Sequence, residues 1–206
     1  MDTLSTSWAT DADLPRQRAA QVHVVQEGYI RNRDDGQHVG PTIGLVLDAD
    51  LVTIVDPGMV ADRHVLLDAV ERHGVTAADV TDVVFSHHHP DHTVNAALFP
   101  NARIHDHWAV YDGDVWNSRP ADRYDVSPSV RLLATPGHSA EDITTVVATP
   151  TEVVAFTHAW WTEAGPEQDP YAPDQEVLLA SRRRILGVAT LIVPGHGPGF
   201  RPRLAG

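Results

Sequence analysis

Residues 86–92 read Ser86-His87-His88-His89-Pro90-Asp91-His92, directly after the apolar run Val83-Val84-Phe85. Imidazole nitrogens and carboxylate oxygens are ligands for divalent cations, and their spacing decides whether they can share one. In an extended segment, residues two apart project to the same side, so His87 and His89 reach one point while His88 turns away toward solvent. Pro90 suits the first position of a helix, whose first turn carries Asp91 and His92 toward a neighbouring point. Two adjacent cation positions are the natural outcome. Divalent ions about 3.5–4 Å apart activate water and stabilise the leaving oxygen in hydrolysis.

Partner ligands stand downstream. His138 ends "LLATPGH", His158 ends "VVAFTH" and His196 ends "LIVPGH". Each follows a strand-like apolar run, so all three can converge on one rim of a sheet. Gly137 and Gly195 allow close backbone approach there. His105 and His107 form another H-x-H, but no aspartate–histidine pair follows, which suits polar rim or packing residues. His23, His38, His64 and His73 stand alone in unrelated segments.

The elements that must position these residues are legible in part. Val22–Val25, Thr42–Leu47 and Leu51–Val55 are strand-like, the last two joined by a tight turn at "DAD". Residues 60–73 carry Leu66, Leu67 and Val70 at helical spacing before Gly74. Thr76 and Asp79 form a capping box ahead of the strand 82–85. Further strands are expected at 103–105, 130–134, 143–148, 153–156 and 191–193, and a helix capped by Asp174 buries Val177, Leu178, Ser181 and Ile185. Strands with covering helices in both halves predict two packed sheets with helices outside. The 206 residues fit one domain, 1–206, with 1–20 as a flexible or loosely packed N-terminal arm.

Composition narrows the chemistry. There is no cysteine, so disulfides, thiolate zinc sites and cysteine nucleophiles are excluded. All 15 basic residues are arginine, which removes lysine as a catalytic group. The run "RRR" at 182–184 reads as a solvated helix face. A net charge of -13 disfavours nucleic acid and points to a small-molecule substrate. With no apolar leader or bilayer-length run, a cytoplasmic location and no membrane partner are expected.

The pattern His87-x-His89-x-Asp91-His92, followed by Pro-Gly-His138 and Pro-Gly-His196, resembles the metallo-β-lactamase fold superfamily over about residues 20–200. "SHHHPDHTVNAALFPNARI" and "VRLLATPGHSAEDI" are most similar to its small metallo-β-lactamase domain-containing proteins. The resemblance implies an α/β (α+β) fold, a four-layer αββα sandwich with the site at the sheets' edge. It implies His87, His89 and His138 as ligands of a first metal and Asp91, His92 and His196 as ligands of a second. Asp56 in "IVDPG" resembles the family's aspartate that orients a ligand histidine. One departure stands out: where the family has an aspartate bridging both metals, this chain has His158 after Phe156-Thr157. A neutral imidazole binds one metal through one nitrogen, so His158 is expected to serve a single ion, or the second position to be weak. Glu163 is nearby, but its spacing fits poorly.

The donor set suits Zn2+, as one or two ions, without excluding Fe or Mn. The resemblance implies a metallohydrolase, with dinuclear zinc, whose metal-bound hydroxide attacks an ester, lactone, thioester or related bond and in which Asp91 also steers the nucleophile. Alternatives are a mononuclear iron redox enzyme, like persulfide dioxygenases, and a non-catalytic metal-stabilised binding protein. The irregular segment 107–125 is placed for a loop over the site, with Trp108, Trp116, Trp160 and Trp161 as candidate pocket walls.

Overall fold

The computed structural model describes residues 11–202. In its first half, β1 (Gln21–Gln26), β2 (Tyr29–Arg33), β3 (Gly36–Gly40), β4 (Ile43–Asp48) and β5 (Leu51–Val55) lead into helix α1 (Arg63–Glu71). Then come β6 (Asp82–Val84), the single turn α2 (Pro90–Thr93), β7 (Arg103–His105), β8 (Ala109–Asp112) and β9 (Val115–Ser118). The second half holds β10 (Tyr124–Ser127), β11 (Val130–Ala134), β12 (Ile143–Ala148), β13 (Val153–Thr157), helix α3 (Gln175–Leu186) and β14 (Leu191–Pro194). One sheet has the order β1-β4-β5-β6-β7-β8-β9, the other β10-β11-β12-β13-β14, and β2–β3 form a separate ribbon.

Side-chain alternation assigns the layers. On β6, Val84 joins a cluster with Val46, Val55, Leu132, Val147 and Phe156, which lies between the two sheets. Its neighbour Val83 faces the other way and packs with Ile54, Leu66 and Val70 under α1. On β13, Phe156 points inward, whereas Ala155 packs with Leu178 and Ile185 of α3. Each fully buried aliphatic contributes roughly 1.5–3 kcal/mol relative to exposure. The result is the helix–sheet–sheet–helix sandwich. Strands β5, β6 and β7 run parallel, as do β13 and β14, so their carboxyl ends open on common rims.

The helices start where short carboxylates cap them. Asp62 accepts from His64 N at 2.8 Å and Asp174 from Glu176 N at 2.8 Å. Helix α1 is thus shorter than the expected 60–73, and Gly74, at φ +82, turns the chain away. The buried face of α3 comprises Leu178, Ser181, Arg182 and Ile185, while Val177 is exposed. Arg182 takes the inward place because three carbonyls receive it: Ala159 O at 2.8 Å, Glu167 O at 3.0 Å and Pro166 O at 3.3 Å. Arg184 pairs with Asp13 at 2.7 Å and Asp122 at 2.7 Å. The "RRR" run is therefore a structural latch at Arg182 and Arg184 rather than a solvated face.

The loose arm expected over 1–20 does not hold where the structure describes it. Asp13 is 0% exposed, Gln17 N donates to Pro128 O at 2.8 Å, and Ala20 joins the inter-sheet core. Residues 1–10 lie outside the described residues. The segment 107–125 is also not a loop over the site. Its strands β8 and β9 extend the first sheet's edge, and its last residues begin β10 of the second sheet.

Candidate metal centre

Strand β6 ends in the core, and Ile143 N, donating to Ser86 O at 2.9 Å, ties the following turn to the second sheet. The chain then bends into α2, with His92 N donating to His89 O at 2.9 Å. The loop 56–58 backs this turn. Met59 N donates to Asp91 O at 2.8 Å, and a Cβ on Gly58 would stand 1.6 Å from that same oxygen, so only glycine fits. Asp56 adopts φ +53, a conformation that costs a non-glycine residue of order 1–3 kcal/mol. Its carboxylate offsets this by accepting from Ser86 N at 2.6 Å, Ser86 Oγ at 2.7 Å and His92 Nδ1 at 2.9 Å.

These outer bonds fix the tautomers. Asp56 takes the Nδ1–H of His92, which leaves Nε2 as a lone pair facing inward. Ser86 Oγ donates to Asp56, so it accepts from His87 Nδ1 at 3.0 Å and frees His87 Nε2. Asp169 takes the Nδ1–H of His138 at 2.8 Å, and Gly40 O that of His196 at 3.1 Å. Four imidazoles from three parts of the chain thus turn unprotonated Nε2 atoms into one space. Burial, then the neighbouring imidazoles, push His87 and His158 well below the usual 6.5. Burial pushes His196 down to about 4 and also lowers His138, against the opposing bond to Asp169.

The inward atoms fall into overlapping groups. His87 Nε2 and His138 Nε2 lie 2.9 Å and 3.0 Å from His89 Nδ1. Asp91 Oδ2 lies 3.5 Å from His92 Nε2 and 3.6 Å from His196 Nε2. Ligand atoms within 4.8 Å of one another also occur in the set His87, His92 and His158. Three nitrogens so close, two of them fixed as acceptors, require a proton or a cation between them, and their spacing is near the edge of a tetrahedron with ~2.0–2.1 Å metal–nitrogen bonds. Among the described residues, His92 Nε2 and His158 Nδ1 are buried without a hydrogen-bond partner. These residues fit a divalent cation.

His89, Asp91, His138, His158 and His196 floor a cavity of about 410 Å³. One wall is mostly apolar, built by Ile30 and Val39 of the β2–β3 ribbon with Met59, and the ribbon adds the polar Gln37. The facing wall is Trp161 and Tyr171, whose rings stack at 5.7 Å. Of the four tryptophans expected to line a pocket, only Trp161 does so. Trp108 and Trp116 are 45% and 61% exposed on the β8–β9 edge, and Trp160 packs against Phe200 and Arg182. Glu163 is exposed. His88 does turn away, but its Nε2 bonds the buried Asp106 at 3.1 Å, which raises its pKa, rather than merely meeting solvent. His105 packs under the first sheet on Asp82 at 2.7 Å.

Asp169 was not foreseen. It is buried, orients His138, and accepts from Trp161 Nε1 at 2.8 Å and Tyr171 N at 2.9 Å. No strand run precedes it, so spacing offered no signal. The ribbon residues Ile30 and Val39 did have one: "DG" at 35–36, a hairpin turn signal.

Comparison with known proteins agrees with this geometry. Metallo-beta-lactamase domain-containing protein 1 of Xenopus laevis is 34% identical over 195 residues, covering 87% of this chain and 81% of that protein. The chain spans 59–62% of the length of the mammalian proteins of that name. Among solved structures, a Thermotoga maritima metallo-beta-lactamase superposes with a TM-score of 0.71 at 19% identity, covering 89% of this chain and 100% of that one. An N-acyl homoserine lactone hydrolase, with the product N-hexanoyl-L-homoserine at its catalytic metal centre, gives 0.63 at 20% identity over 87% and 93%. The family model described as the metallo-beta-lactamase superfamily matches residues 38–200, so the chain belongs to that superfamily.

Proposed function

We propose that the protein is a metal-dependent hydrolase, with zinc as its ion, that cleaves an uncharged ester, lactone or thioester carrying an apolar arm. The carrying observation is that two donor groups, His87/His89/His138 and Asp91/His92/His196, lie side by side, with His89, Asp91, His138 and His196 lining one cavity and His87 and His92 buried next to them. These residues would hold the ions. A bound divalent cation brings the pKa of its water toward neutrality and polarises a carbonyl.

The chain's own residues supply the rest. Neutral histidines keep their lone pairs available at pH 7, because burial resists their protonation. Asp91 lines the cavity and can accept and return a proton at Oδ2 beside the reacting carbonyl. The Ile30–Val39–Met59 wall and the Trp161–Tyr171 wall exclude water and seat an apolar group between them. Among the described residues no arginine lines the cavity, and the chain has no lysine, so nothing cationic in the protein awaits a phosphate or carboxylate. The lactone-hydrolase neighbour supports this substrate class by analogy of fold. Among the described residues no helix is long and apolar enough to cross a membrane.

The test is elemental analysis of protein purified without added metal, joined to assays on aryl esters, lactones, thioesters and a phosphodiester with and without chelator. Chelator-sensitive turnover of a neutral class is expected. Full metal loading without such turnover would instead favour a binding protein, and iron as the resident ion a redox role.

A further inference from the structure

His158 stands apart from the histidines around it. His87, His92, His138 and His196 each have one ring nitrogen held from behind, by Ser86, Asp56, Asp169 and the Gly40 carbonyl. Among the described residues His158 has no such partner. Its Nε2 meets only another imidazole nitrogen, His196 Nε2 at 3.1 Å, and its Nδ1 meets nothing, although the residue is 2% exposed. An imidazole buried in this way is costly unless something inside the cluster satisfies it. The backbone makes room for it: a Cβ on Gly195 would stand 2.4 Å from His158 Cδ2.

The ring sits between the two donor groups. Its centroid is 4.6 Å from that of His87 and 4.0 Å from His138 on one side, and 4.8 Å from His92 and 5.0 Å from His196 on the other. We propose that His87, His92 and His158 form a central, all-nitrogen position that takes a single divalent cation before the paired arrangement can form. All three are buried, with one ligand atom from each within 4.8 Å of the others. His92 Nε2, the other nitrogen of the donor cluster left without a partner among the described residues, belongs to the same three residues.

Sharing makes the positions exclusive. Each imidazole lone pair binds one cation, and the central position borrows His87 from one flanking group and His92 from the other. A centrally held ion leaves both flanking groups one ligand short, so a second ion can enter only if the first shifts aside. Charge acts in the same direction. Asp91 is the one carboxylate among the inward donors of the two flanking groups and His158, so two dications would face one another across neutral rings. The second ion therefore binds far more weakly than the first, and the metal supply sets which form of the site exists.

This inference rests on the metal-centre reading of the proposed function, and the experiment separates the two. Metal-free protein is titrated with Co2+, followed by visible absorption, and with Zn2+ against a chelating dye. One ion per chain should load first, with a second at least about tenfold weaker. His158→Ala should weaken the first step by more than the ~10–100-fold typical of losing an outer partner. His158→Gln, closer in volume, should do the same with unchanged far-ultraviolet circular dichroism. His89→Ala and His196→Ala should leave the first step within a few-fold of wild type. Two ions loading together, or a first step sensitive to His89 and His196 but not to His158, would overturn the central position while leaving the metal centre in place. Absence of any cation binding would overturn both.

Discussion

The Asp169 carboxylate accepts the Nδ1–H of His138 at 2.8 Å, across 31 residues of chain. The same oxygen accepts from Trp161 Nε1 at 2.8 Å, and the other accepts the backbone N–H of Tyr171 at 2.9 Å. One buried group thus aims an imidazole of the candidate metal centre and also holds the aromatic wall of the cavity.

Replacing it tests that double role. Asparagine offers one acceptor oxygen where both of Asp169's are used, so Asp169→Asn cannot keep all three bonds. Zinc affinity should fall roughly 10–100-fold, the range for loss of a ligand's orienting partner. Trp161 should report the change independently, through a shift in indole fluorescence in the metal-free protein. Unchanged affinity with altered fluorescence would confine Asp169 to the wall.

The wall itself makes a kinetic prediction. If Trp161 and Tyr171 seat an apolar arm, kcat/KM for a series of acyl esters or lactones should rise with chain length. The expected step is about fourfold per methylene, corresponding to ~0.8 kcal/mol for each buried CH2. Trp161→Ala should flatten that slope and raise KM by about tenfold with kcat little changed, the signature of lost uniform binding. A slope that survives the substitution would place the arm elsewhere.

How far the sequence reached follows from chain geometry. His87, His89, His138, His158 and His196 were legible because each follows a strand whose carboxyl end reaches a common rim: β6 and β14 lie beside parallel neighbours, and β11 runs the same way as β13 across the antiparallel β12. Asp56 was readable through its place after β5, though its grip on Ser86 as well as His92 was not. Asp169 and Tyr171 sit in the irregular stretch before α3, where no period constrains a side chain's direction and only tertiary folding brings them to the site. The pocket walls were misassigned for a related reason. Residues 109–118 carry the turn "DGD" between short alternating runs, and Gly113 at φ +58 closes them into an edge hairpin rather than a lid. The β2–β3 ribbon, with a similar signal at Asp35-Gly36, supplies the wall instead.

Gly195 carries a prediction that separates room from ligation. Gly195→Ala places a Cβ 2.4 Å from His158 Cδ2 and 2.7 Å from its Nε2, so the ring or the strand end must move. Metal-free protein should lose about 1–3 kcal/mol of stability, as for overpacking in a rigid core. In the double variant with His158→Ala, where the obstructing ring is gone, most of that loss should disappear. Urea unfolding of the metal-free proteins measures both, and additive losses would show that the two positions do not meet.

Acid should loosen the N-terminal anchor. Asp13, fully buried, is pushed up by burial, but hydrogen bonds from Arg184 and Arg123 outweigh this and hold its carboxyl below the usual 3.8. A depressed carboxylate contributes stability that is fully present above the unfolded value and lost as pH falls through the folded one. At pH 7, Asp13→Asn should therefore cost about 2–3 kcal/mol, below the 3–5 kcal/mol for breaking an isolated buried pair because Arg184 keeps Asp122. Below pH 3.8 the wild type progressively gives up the same contribution, so the gap between the two proteins should narrow. Urea midpoints from pH 7 to pH 3 would show this convergence. A gap independent of pH would mean that Asp13 acts there by shape and not by charge.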